Sequence, residues 1–386
     1  MIKKIFIYLL AIISMFILVV TIAINIISSP TLKSNNVITQ DNDQNNIEKF
    51  FNDLVKQFYL SGTVLVTQQG TRILNKSYGL ANYKKSQPII SNTQFNIGSM
   101  AKQFTGFIIL DLIKKRKLKL SDRLVTILPD LYGTNMALVT IEQLLQMSSG
   151  VYDLPKAITY LGLQFSPHEW PSKVLLNEIR RYQLQRAPGT YAYSNLSYVL
   201  LGLIVEEITK EDFMQVLKKQ IFTPLGMLST ASVQKQLTIP DLATGYLPIK
   251  RFLFFGDIIL LPMPRWNYSF LRGASGILST VEDMDKWQMF LWQLELEQPQ
   301  LTKQYFSSDR LRNYAYGWTS QYVTVADEKV LIQWHSSKTA GFCGFVLRIP
   351  IINCHIIAIF NVDFFLSQTR IEDLIEQISK VILEGK

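Results

Sequence analysis

The period of the apolar positions changes along this chain, and each change marks an element. The segment "IFIYLLAIISMFILVVTIAINII", Ile5 to Ile27, carries no charge. Such a run, about 23 residues long, can cross a bilayer as a helix and exceeds the ~7–15-residue core of a cleavable signal. Lys3 and Lys4 precede it and should stay cytoplasmic, which places everything after Ile27 outside. Residues 1–27 therefore predict a signal anchor. A signal peptide, with a secreted or periplasmic product, is the alternative. The polar stretch 28–46 has no periodicity and predicts a linker, leaving 47–386 as one domain.

Within that domain, "IEKFFNDLVKQFYL" has apolar residues at helical spacing. "GTVLVTQQGTRILNKSYGLAN" holds two β-rich runs around Gln69–Gly70, a hairpin pattern. From Gln103 the pattern turns helical through "FTGFIILDLIKKRKLKL", and further helices are predicted over Thr140–Met147, Leu196–Thr209, Lys210–Ile221 and Val281–Leu294. Strands return in "YAYGWTSQYV", "KVLIQWHSS", "CGFVLRIP" and "CHIIAIFNV", joined by short turns that require antiparallel pairing. An amphipathic helix closes the chain over Arg370–Leu383. The fold class is α+β: an antiparallel β-sheet flanked by helices plus a mostly helical subdomain, preceded by the N-terminal transmembrane helix. Leu237–Phe270 is apolar but irregular, and reads as a buried loop or a second membrane-contacting surface.

Composition narrows the function classes. The chain is 48% hydrophobic and 18% charged, a globular rather than disordered composition. Its net charge of +9 admits an anionic partner. Basic and aromatic residues do not interleave, and no nucleic-acid motif appears, so a membrane or an anionic wall polymer fits better than nucleic acid. The basic run Lys114–Leu120 reads as a solvated helix C-terminus favoured by the dipole. Cys343 and Cys354 lie at unequal distances from the turn near Pro350–Asn353, so they do not face each other across it and read as two buried free thiols. His168, His335 and His355 show no metal-ligand spacing, and no metal or cofactor is expected.

The candidate chemistry starts at "FNIGSMAKQF", where Ser99 and Lys102 share one helical face. The same S-x-x-K spacing recurs at Ser232 and Lys235, so the pair alone decides nothing. What distinguishes Ser99 is its place at the entry of a long apolar helix, where N–H groups stabilise developing negative charge. Lys102 near Phe104 and Phe107 would be desolvated, which lowers its pKa toward that of a usable base. Tyr193, in "TYAYSN", can serve as base and then acid if a nearby lysine lowers its phenol pKa. The amide of Asn195 can hold a substrate amide and orient the lysine. The β-rich run "QWHSSKTAGF" offers His335 and a strand-edge N–H for an oxyanion hole; His335 could instead be a hydrogen-bonded strand histidine. His168 and His355 read as structural or exposed.

These segments, together with "SYGLANYKKSQPI", "LVTILPDL", "VTIEQLLQMSSGVYD", "IFTPLGM", "GASGILSTVEDMDKW" and "YAYGW", resemble in kind and order the serine β-lactamase and penicillin-binding protein superfamily. The likeness is to its class C-like branch of esterases and D-amino-acid peptidases, over about Phe50 to Asn361. The resemblance implies an antiparallel sheet flanked by helices, a helical domain, and a site between them. It implies Ser99 as acylated nucleophile, Lys102 as its partner, Tyr193 as base and Asn195 as substrate-side amide. His335 then opens the third motif, and the N–H groups of Ser99 and Lys338 form the oxyanion hole. No metal or cofactor is implied. The implied substrate is a small ester or D-amino-acid peptide, with peptidoglycan a candidate polymer, and a β-lactam less suited because His335 stands where lactamases carry lysine. The third motif departs from H-x-G: it reads His335-Ser336-Ser337. Ser337 adds a side chain where glycine lets substrate lie close, which points to narrow specificity or to a degenerate, polymer-binding homologue. A second register, Lys338-Thr339-Ala340, would mimic a lactamase K-T-G, but the spacing to Gly341-Phe342 favours the first. The stretch Gln146–Gly150 reads as neutral to chemistry.

Overall fold

The computed structural model describes residues 43–153, 170–232, 241–250, 258–264, 268–306, 313–363 and 368–384. The chain divides into two compact units. Met1–Asp41 with Ile249–Ile259 lies almost wholly outside the described residues, and so does the expected anchor. Asn42–Pro248 with Leu260–Lys386 holds the site and the elements that build it. No helix among the described residues is long and apolar enough to cross a membrane.

Helix α1 (Asp43–Phe58) opens the larger unit. It begins inside the stretch read as linker, because acidic Asp43 suits a helix N-terminus and the polar residues after it still accept helical geometry. The hairpin follows as β1 (Gly62–Gln68) and β2 (Thr71–Tyr78). Gln69 and Gly70 both have positive φ, 49° and 78°, as a tight two-residue turn needs. Helix α2 (Lys102–Lys114) is the long apolar helix after Ser99. It stops at Lys114, and Arg116 takes φ 57°, so most of the basic run is an exposed turn rather than the helix end itself. In α3 (Ile141–Leu145), Thr140 and Gln143 form a reciprocal capping box. Helix α4 (Asn195–Thr209) is capped by Ser194 and ends at left-handed Lys210, which breaks it from the next helix, Phe213–Leu217. Helix α5 (Val281–Glu297) is capped by Thr280.

The late strands are β3 (Tyr314–Ala315), β4 (Trp318–Val325), β5 (Glu328–Thr339), β6 (Phe342–Ile349) and β7 (Cys354–Phe360), before α6 (Gln368–Glu384). The sheet runs β3-β4-β5-β6-β7-β1-β2, antiparallel throughout. The N-terminal hairpin joins it through β7, with Gly62 opposite Phe360. Helices α1 and α6 pack together and onto the sheet, while α5 lies against β1 and β7. β1 and β7 are accordingly buried along nearly their whole length. The helical part, α2 to α4, packs its apolar faces into one large core with α5.

Two side chains on the α5 side of the sheet depart from simple apolar packing. His355 is fully buried, its Nε2 at 2.7 Å from Asp285 Oδ1, and its Nδ1 accepts from Trp292 Nε1 at 2.9 Å. Arg348, also fully buried, lies 3.7 Å from the Trp292 ring centre and 4.4 Å from that of Phe306, with Glu295 at 3.0 Å. Neither cysteine is in a disulfide: Cys354 stands opposite Ile349 and Cys343 opposite Phe360. Cys343 is half-buried rather than buried, because its strand position faces a cleft. Within Leu237–Phe270 the described residues include short strands at Tyr246–Lys250 and Ile258–Pro262, where irregular loop was expected. His168 and Lys235 lie outside the described residues.

Candidate active site

Ser99 sits in a turn of 3-10 helix, Gly98–Ala101, that runs directly into α2. A short sheet of Phe95–Asn96, Ile277–Ser279 and Ala231–Ser232 anchors the approach. Ile97 N–H donates to Ile277 O at 3.0 Å, and Gly98 N–H to Asn96 Oδ1 at 3.0 Å. Gly98 has φ +49°, a left-handed conformation that glycine adopts without strain. Ser232 belongs to this sheet and lies away from the chemistry.

Lys102 is fully buried. Its Nζ lies 3.0 Å from Ser99 Oγ, 2.8 Å from Asn195 Oδ1 and 2.9 Å from Ala274 O. Burial lowers its pKa from 10.5 to about 7, opposed by the charge of Asp153. A neutral amine has two N–H groups for Asn195 and Ala274 and a lone pair left for the Ser99 hydroxyl proton. The desolvation expected for Lys102 is present.

Tyr193 Oη lies 3.1 Å from Ser99 Oγ. Its pKa moves the opposite way from the expected one. Burial raises it; the hydrogen bond to Ser99 offsets this in part, while Asp153 raises it further. The reason is geometric: Lys102 Nζ sits 5.1 Å from the centre of the Tyr193 ring, against its face, and spends its N–H groups elsewhere. Tyr193 therefore stands protonated and donates to Ser99.

Asn195 is the first residue of α4 rather than a loop residue. Its backbone N–H donates to Asp153 Oδ1 at 2.9 Å, and its Nδ2 approaches Asp153 Oδ2 at 3.4 Å. Asp153 is the residue that sequence reasoning missed. It ends the string "SSGVYD", yet nothing local points its carboxylate at α4.

His335 is nearly buried. Its Nδ1 lies 2.6 Å from Ser336 O, and a carbonyl can only accept, so Nδ1 carries the proton. Nε2 then accepts from Tyr314 O–H at 3.2 Å. Burial and the proximity of Lys102 lower its pKa to about 3, so it is neutral at physiological pH. Tyr314, quoted only within "YAYGW", is a second residue sequence reasoning passed over.

Ser337 lines the cleft and also packs against the turn that carries Ser99. It is buried, and its Oγ would be only 2.3 Å from a Cβ placed on Gly98. The hydroxyl thus fills the space that Gly98 leaves open, and it has no hydrogen-bond partner among the described residues. Lys338 points the other way, half-exposed, with Nζ 3.4 Å from Asp363 Oδ1. His335 meets the Tyr193 and Tyr314 rings, with centres 6.5 and 5.8 Å away, which fits the His335 register of the third motif. Ser149 Oγ meets Ser197 Oγ at 2.8 Å, tying the Gln146–Gly150 stretch to α4.

Ser99, Asp153, Tyr193, Asn195, His335, Ser337 and Lys338 all line one cleft of about 830 Å³. Among the described residues no cluster of His, Cys, Asp and Glu could hold a metal ion. A serine at the cleft beside a buried lysine, with a protonated phenol at hydrogen-bond distance, is equipped for acyl transfer. The family model described as Beta-lactamase matches residues 47–377. The chain belongs to the Beta-lactamase family. It is 28% identical over 364 residues to protein flp of Staphylococcus aureus strain COL, covering 90% of this chain and 68% of that one. The family fold is shared with FmtA of Staphylococcus aureus, at TM-score 0.69 and 20% identity over 90% of this chain and 93% of that one. It is shared equally with a penicillin-binding protein from Bacillus halodurans, at TM-score 0.70 and 22% identity over 88% and 99%.

Proposed function

We propose that this protein is an extracytoplasmic serine hydrolase, held at the membrane by Ile5–Ile27, that cleaves an ester or amide through an acyl-enzyme on Ser99. The observation that carries the reading is the 3.0 Å approach of Ser99 Oγ to a lysine nitrogen whose burial brings it to about pKa 7. Ser99 attacks the carbonyl carbon and its proton passes to Lys102. The N–H groups of Ser99 and Lys338 receive the oxyanion. Tyr193 gives its proton to the leaving oxygen or nitrogen and regains one from Lys102. In the second half, water bonds to the acyl carbon as its proton passes to the same groups, and that proton returns to Ser99 Oγ as the acyl–oxygen bond breaks and the acid leaves.

The substrate is a small ester or a D-amino-acid peptide, with peptidoglycan the candidate polymer. Neutral His335 supplies no fixed charge for a substrate carboxylate, which favours an ester over a β-lactam or a D,D-carboxypeptidase substrate. The rival reading, a degenerate polymer-binding homologue, is motivated by Ser337 and by the basic net charge of +9; the packing of Ser337 on Gly98 weakens the first of these motives.

The test is fluorophosphonate labelling combined with p-nitrophenyl ester turnover. Wild type should label and turn over ester, and Ser99→Ala should do neither. Folded wild-type protein that neither labels nor turns over would overturn the proposal.

A further inference from the structure

We propose that Asp153 is a positioning residue: its carboxylate fixes the Asn195 amide so that a carbonyl oxygen, and never an N–H, faces Lys102. This rests on the reading of Ser99 and Lys102 as nucleophile and base. An amide has two unlike ends, and here each end meets a partner that tolerates one orientation. Oδ1 lies 2.8 Å from Lys102 Nζ, and Nδ2 faces Asp153 Oδ2. Turning the amide over would set N–H against N–H and oxygen against carboxylate. The second carboxylate oxygen accepts the Asn195 backbone N–H, so the acid is clamped at the first turn of α4, where a negative charge is favoured. One residue thereby holds both the backbone and the side chain of Asn195.

The same charge acts on Lys102. The other groups around the Lys102 amine are the phenols of Tyr193 and Tyr198, the neutral imidazole of His335 and the carbonyl of Ala274. Tyr314 stands behind His335. Asp153 is the anion in this set, and it keeps a fully buried amine from losing its proton too readily. Lys102 must hold a proton after acylation begins and give it up before, so this balance sets the working pH.

Two readouts separate the inference from the reading beneath it. The first needs no turnover: Lys102 is titrated by NMR through 13C at its Cε, assigned by loss of the signal in Lys102→Gln. Asp153→Asn keeps the shape and removes the charge, and should lower the Lys102 midpoint by about one pH unit. The second is the pH profile of p-nitrophenyl acetate kcat/KM. Its acid limb should move down with the same variant, while Asp153→Ala, which frees the amide, should lower the plateau at least ~10-fold. An unchanged Lys102 midpoint in folded Asp153→Asn overturns the inference, whether or not the enzyme turns over. A shifted midpoint with no Ser99 labelling in wild type leaves the placement of Asp153 standing and overturns the hydrolase reading instead.

Discussion

Gly98→Ala tests how Ser337 is accommodated beside the nucleophile. An added Cβ would lie 2.3 Å from Ser337 Oγ, 3.5 Å from Thr339 Cγ2 and 3.6 Å from Ser337 Cβ. Only the first contact is impossible, and turning one torsion of Ser337 relieves it. The overpacking cost should therefore fall at the low end of ~1–3 kcal/mol. Alanine at φ +49° adds about 1 kcal/mol of backbone strain, for a total near ~2 kcal/mol. Ser337→Gly alone should be close to neutral, since the lost strand preference is offset by removing a buried hydroxyl without a partner. In the double variant only the backbone strain remains, so the coupling should be about 1 kcal/mol. The assay is urea unfolding of the four proteins followed by tryptophan fluorescence, accepted only where the slopes agree. The turn carrying Gly98 also carries Ser99, so Gly98→Ala should slow Ser99 labelling and Ser337→Gly should restore part of it. Additivity within ~0.3 kcal/mol would refute the claim that Ser337 occupies the space above Gly98.

Three further outcomes follow from the same geometry. Labelling of Ser99 should fall on the acid side of about pH 7 as Lys102 gains a proton, with no separate limb from His335, which is already neutral there. The same group affects stability: its folded pKa lies below the ordinary 10.5, so the unfolded chain binds more protons between about pH 7 and 10.5. Its contribution to stability therefore improves as pH rises through that window, and the wild-type melting temperature should rise relative to Lys102→Met across it. Tyr193→Phe should cut ester kcat/KM by ~10²-fold while leaving the melting temperature within a few degrees, because it deletes a donor but keeps the ring; unchanged kinetics would remove Tyr193 from the mechanism. Arg348→Ala should destabilise by ~3–5 kcal/mol in urea unfolding, since it strands Glu295 and empties the space between Trp292 and Phe306, and Arg348→Met should cost clearly less.

Local pattern determined a large share of this protein. Helices α2, α4 and α5 and the hairpin β1–β2 were legible because period and capping residues act within a turn or two, as Thr280 and Ser194 do. The Ser99–Lys102 pair was legible for the same reason: two residues one turn apart share a face whatever the rest of the chain does. The order of the motifs in the chain was enough to identify the family. Tertiary structure alone decided what depends on distant groups. It joined β1 to β7, which no local signal specifies, and so made one seven-stranded sheet. It aimed Asp153 at Asn195 and packed Ser337 against Gly98. It also reversed the sign expected for Tyr193, because a pKa depends on burial and on which face of a ring a lysine meets, and neither is written in the spacing of residues along a chain.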